Sequence, residues 1–149
     1  MTYCGDDIKR LIPQRYPFMM VDTLEQRDAK TAVTTLAVRL DNYFALPDGT
    51  LAETGLVEHM AQSCAALSSL ANQSPTAAPS ETGDGGGAPA IGLIGEVKHF
   101  TCHRRPRAGE RLTTTINFGM SFGSVTLATG QTVVDDEPIA EVNLKIFIQ

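Results

Sequence analysis

The chain has 149 residues, of which 42% are hydrophobic and 19% charged, with a formal net charge of -5. This length fits one compact domain over residues 1–149, and the balance is too apolar for a disordered chain. No stretch approaches the roughly 18 apolar residues of a membrane span, and the acidic charge argues against general nucleic-acid binding.

From the amino terminus, Asp6, Asp7, Lys9 and Arg10 stand where a secretory leader needs an apolar run, so the expected compartment is the cytoplasm. A short amphipathic turn is expected near residues 7–11, ended by Pro13. Residues 31–40 alternate, with Ala32, Thr34, Leu36, Val38 and Leu40 on one face of a predicted strand. The long helical signal spans residues 51–72. There Val57, Met60, Ala61, Cys64, Ala65 and Ala71 recur at spacings of three and four. Thr50, followed three residues later by Glu53, reads as a capping-box pair at its start.

Apart from Pro75, Pro79 and Pro89, residues 74–89 carry no apolar side chain larger than Ala. Such a segment cannot offset its ordering entropy by burial and is expected to be a mobile surface loop. Residues 91–100 open as a continuous apolar run, the pattern of a central strand. Residues 111–118 and 125–134 alternate weakly. At the carboxyl end Val142, Leu144, Ile146 and Ile148 oppose Glu141, Asn143, Lys145 and Gln149 cleanly. Gly119, Gly123 and residues 135–138 supply turns. One long helix among strands joined by short turns predicts an α+β domain, the helix buried against a curved antiparallel sheet.

Cys4, Cys64 and Cys102 are widely spaced, and His59, His99 and His103 form no zinc-binding spacing, so reduced thiols and no metal are expected. No cofactor motif appears. Between residues 98 and 111, Lys98, Arg104, Arg105, Arg107 and Arg111 are opposed only by Glu110. This basic run reads either as a solvated face or as a docking patch for an acidic partner.

Residues 11–22, LIPQRYPFMMVD, resemble the opening motif of the β-hydroxyacyl-acyl-carrier-protein dehydratases. Residues 55–62, GLVEHMAQ, are similar to that family's helical stretch, and residues 103–112, HRRPRAGERL, to its basic segment. The resemblance implies the hotdog fold, a long helix wrapped by an antiparallel sheet, paired as a dimer with sites at the interface. It implies a lyase acting on an acyl thioester carried by an acidic acyl carrier protein, as in fatty acid biosynthesis. Docking would then use Arg104, Arg105, Arg107 and Arg111.

Dehydration needs a base for the α-proton and an acid for the departing β-hydroxyl. Glu58 matches the family's helical acid. The resemblance also places Asn42, Tyr43, Phe44, Gly55 and Gln62 against the substrate, with a backbone N–H near the helix start holding the thioester carbonyl. The family's histidine is missing: Phe44 stands in its place, and no histidine precedes Glu58. His59 projects about 100° away from Glu58 around the helix and reads as a packed residue at the dimer contact or against the sheet.

Three readings follow. In the first, a dehydratase works with Glu58 and a substitute base such as Asn42, Tyr43 or water. In the second, a thioesterase uses Glu58 to activate water. In the third, the chain is a non-catalytic or half-catalytic subunit lending Glu58 to a histidine-bearing partner, as would suit polyketide-like or aryl-polyene pathways.

Overall fold

The computed structural model describes residues 1–72 and 92–148; the loop expected at residues 74–89 lies outside the described residues. The elements are β1 (Thr2–Cys4), α1 (Asp6–Lys9), β2 (Thr23–Gln26), β3 (Thr31–Ala37), α2 (Glu53–Asn72), β4 (Gly92–Cys102), β5 (Arg111–Phe122), β6 (Val125–Val134) and β7 (Glu137–Ile148). The strands form one seven-stranded sheet in the order β1-β2-β3-β5-β6-β7-β4, with every neighbouring pair antiparallel. The helix α2 lies across it, making the expected α+β arrangement. No described helix is long and apolar enough to cross a membrane.

Period-two alternation decides which face each strand buries. Ala32, Thr34, Leu36 and Val38 point into the core from β3 and just beyond it, as do Leu112 and Ile116 from β5 and Val142, Leu144 and Ile146 from β7. Leu40 departs from its predicted face. It lies past the end of β3, where the ladder no longer dictates orientation, and is 76% exposed.

The helix begins at Glu53, two residues later than expected, because the capping box does not form. Thr50 Oγ1 instead donates to Asp48 Oδ1 at 2.6 Å, and Ala52 O receives the N–H groups of Gly55 and Leu56. Its buried surface is also wider than the predicted stripe. Residues 62–70 are all buried while Val57 and Ala61 are half-buried and Ala71 is exposed. Small side chains (Ser63, Cys64, Ala65, Ala66) let the sheet wrap closely around the helix.

The largest correction concerns β4. Its apolar run predicts a central strand, yet it lies at the edge of the sheet, hydrogen-bonded among the described residues to β7 alone. An apolar run says nothing about pairing on two edges, and the strand's residues 95–99 are exposed, as an edge position allows. Gly119 likewise belongs inside β5, at a register shift between Phe118 and Ser121. The turns at Gly123 and at Asp135–Asp136 are present, all three residues adopting positive φ, whereas Glu137 and Pro138 of the expected turn already pair within β7.

Candidate active site

Two residues on one face of α2, His59 and Gln62, grip the segment that carries the first motif. Met20 N–H donates to Gln62 Oε1 at 2.6 Å, and His59 Nδ1–H donates to Met20 O at 2.6 Å. Because a carbonyl can only accept, the imidazole proton is on Nδ1. Nε2 therefore accepts, from Thr114 Oγ1–H at 2.8 Å, and Thr114 accepts in turn from Thr132 at 2.6 Å. Burial lowers the His59 pKa from 6.5 to about 4, opposed by its bond to Met20 and by the charge of Asp22. This histidine is neutral, saturated and entirely buried against the sheet.

Gln62 spends its amide on the same segment and on the candidate acid. Its Nε2 donates to Phe18 O at 2.6 Å and to Glu58 Oε1 at 2.8 Å. Gln62 is thus buried, with its amide oxygen and both amide hydrogens engaged within the fold. With Oε1 of Glu58 accepting the amide proton, Oε2 is the oxygen left for proton exchange. Glu58 is half-buried and lines a recess of about 300 Å³ with Glu53, Thr54, Val57 and Phe100.

The remaining predicted substrate residues lie elsewhere. Asn42 accepts from Phe44 N–H at 2.8 Å and, with Tyr16, Met19 and Arg39, borders a separate hollow of about 410 Å³. Tyr43 is exposed, its ring 4.6 Å from that of Phe18 and 5.3 Å from that of Phe44. Phe44 lies over Gly55, where a Cβ would stand 2.7 Å from Phe44 Cβ. The N–H of Gly55 bonds to Ala52 O at 2.9 Å, so this glycine permits a close approach within the fold. Within one chain, then, Asn42, Tyr43 and Phe44 do not line the recess beside Glu58. Thr54, four residues before Glu58, was legible from helical spacing; Phe100 carried no comparable signal.

The basic run is divided. Arg104 forms a bidentate pair with Glu110 at 2.9 Å and also meets Glu137. These bonds raise the Arg104 pKa and hold Glu110 below the usual carboxylate range. Arg105 reaches Asp48 and Thr50, and Arg111 reaches Thr35. Arg105, Arg107 and His103 border a hollow of about 430 Å³ that shares Glu53 with the Glu58 recess.

Neither of the inner thiols is poised as a nucleophile. Burial raises the Cys64 pKa, and burial together with the Glu53 carboxylate raises that of Cys102. Among the described residues, no group of three His, Cys, Asp or Glu side chains is placed to hold a metal.

No curated protein matches this sequence significantly. Among solved structures, the chain is similar to the dehydratase heterocomplex ApeI:P from Xenorhabdus doucetiae, with a TM-score of 0.80 at 15% identity over 95% of this chain and 90% of that one. It is also similar to the Escherichia coli PaaI protein of the phenylacetic acid degradation operon (TM-score 0.62, 14% identity, 83% and 80% covered). A hypothetical thioesterase with coenzyme A from Streptococcus pneumoniae TIGR4 matches at a TM-score of 0.62 and 10% identity, over 85% and 84% of the two chains. These likenesses establish the hotdog fold. The model of the ApeP-like family, described as ApeP dehydratase, matches residues 6–149. The chain belongs to this ApeP-like dehydratase family.

Proposed function

We propose that this chain is the acid-bearing subunit of a heteromeric hotdog dehydratase acting on a β-hydroxyacyl thioester of an acyl carrier protein, in fatty-acid or polyketide/aryl-polyene-type chain synthesis. The observation that carries the reading is the bond from Gln62 Nε2 to Glu58 Oε1, which aims a carboxyl group into a recess while the neighbouring imidazole is locked away from it. Glu58, as the carboxylic acid, delivers the proton on Oε2 to the β-hydroxyl, which leaves as water. The α-proton passes to a base, and its electron pair forms the new double bond. This chain has Phe44 where that base would stand, and His59 is already saturated. A histidine from a related partner supplies the missing function.

The complex-forming dehydratase among the structural relatives supports a heteromeric assembly. So does the edge position of the 11-residue β4, whose outer backbone groups are a template for a further strand. Carrier docking falls first to Arg107, because Arg104 is held by Glu110 and Glu137 and Arg105 by Asp48, all three arginines bordering the same hollow. Their hollow adjoins the Glu58 recess at Glu53, giving a phosphopantetheine arm a short path to the acid.

The test is turnover of 3-hydroxyacyl thioesters by the chain co-expressed with a histidine-bearing hotdog subunit. Enoyl product, lost by about a hundredfold or more in Glu58→Gln, is expected. Equal turnover by Glu58→Gln overturns the assignment. The thioesterase relatives favour a second reading, in which Glu58 activates water; thiol release without enoyl product would select it.

A further inference from the structure

The strand β4 contains a bulge next to the candidate acid. Lys98 pairs with Asn143 and Thr101 with Glu141, so His99 and Phe100 together oppose the single residue Val142. His99 sits at φ 51, a left-handed conformation uncommon for a side-chain-bearing residue. The register on either side shows what the extra residue does. Lys98 and Thr101 face outward with exposed partners, while Val97 and Cys102 oppose the buried Leu144 and Ala140. Unbroken alternation after Lys98 would turn His99 inward and Phe100 outward. The bulge reverses this: His99 is exposed, and Phe100 is half-buried, packs against the core and lines the recess beside Glu58.

We propose that Phe100, delivered by the His99 bulge, is a specificity-determining residue, forming with Val57 the apolar wall that receives the acyl chain beyond its β-carbon. This rests on Glu58 marking the site. Glu53, Thr54 and Glu58 make the polar side of the recess, so the thioester end and the β-hydroxyl belong there and the hydrocarbon belongs against the phenyl ring. A four-carbon acyl group ends one carbon past the β-position and barely meets that wall. A longer chain lies along it.

The experiment compares kcat/KM for 3-hydroxyoctanoyl and 3-hydroxybutyryl thioesters in the dehydrating assembly, with partner subunit present. Phe100→Ala lowers the preference for the longer chain about tenfold, the scale of one or two lost apolar contacts, whereas Phe100→Leu lowers it less. His99→Gly accepts the left-handed backbone and keeps the preference. His99→Val, strained there, loses the bulge and reproduces Phe100→Ala. Glu58→Gln, run alongside, separates the two ideas. If it retains full turnover, the site is misplaced and the proposal falls with it. If it is inactive but the chain-length preference is the same in wild type, Phe100→Ala and His99→Val, the wall alone is refuted.

Discussion

Acidification is expected to weaken the fold through His59. In the native state, burial lowers this imidazole from 6.5 to about 4; in the unfolded chain it titrates near 6.5. The unfolded state therefore takes up the proton first. The contribution is complete above the unfolded value and is lost as pH falls from there toward about 4. Linkage gives a loss of about 1 kcal/mol by about pH 5.5 and about 2–3 kcal/mol by about pH 4.5. That shifts a urea midpoint by roughly half a molar or more at the first of these. The cause is local. Protonating Nε2 sets a donor against the Thr114 hydroxyl and places a buried charge with no counter-charge in contact. Urea unfolding of wild type and His59→Gln across this range is the assay. Gln can still donate to Met20 O but does not titrate, and the exposed His99 and His103 are common to both proteins. Wild type should be the more stable near pH 7.5, with the gap closing on acidification. Parallel stability curves, or a native His59 that titrates near 6.5 by NMR, would refute the reasoning.

Other outcomes follow from the same contacts. Gln62→Leu strands the buried Met20 N–H and frees Phe18 O and Glu58, so chemical denaturation should show a loss of about 1–3 kcal/mol, with kcat falling as well. Gly55→Ala replaces a poor helix former with a good one, yet the new methyl group meets Phe44 Cβ at 2.7 Å. Overpacking wins, and Tm should fall in line with a cost of about 1–3 kcal/mol. Asp136→Gly at φ 67 relieves a left-handed side-chain-bearing residue in the β6–β7 hairpin and should raise stability by roughly 0.5–1 kcal/mol in urea titration.

How much was legible in advance can be read from individual elements. Val125–Val134 carries its own period of two, and its bounds match the alternating stretch. The pattern at residues 142–146 likewise names the inward side chains of β7. The helix announced itself by its three-and-four spacing, and Glu58 with Gln62 by a motif placed one turn apart on it. These are short-range properties: the period of the backbone converts residue order directly into a face.

The pairing partners came only with the tertiary structure. Nothing local to β4 distinguishes an edge from a centre, since its ladder depends on which strand returns beside it. Nothing in Gln62 or His59 reveals that both close on Met20, about 40 residues earlier in the chain. Thr50 looked like a helix cap until Asp48 took its hydroxyl. Local chemistry dictates what each residue can offer, whereas packing chooses which distant group accepts it, and the Glu58 recess is made by that second step.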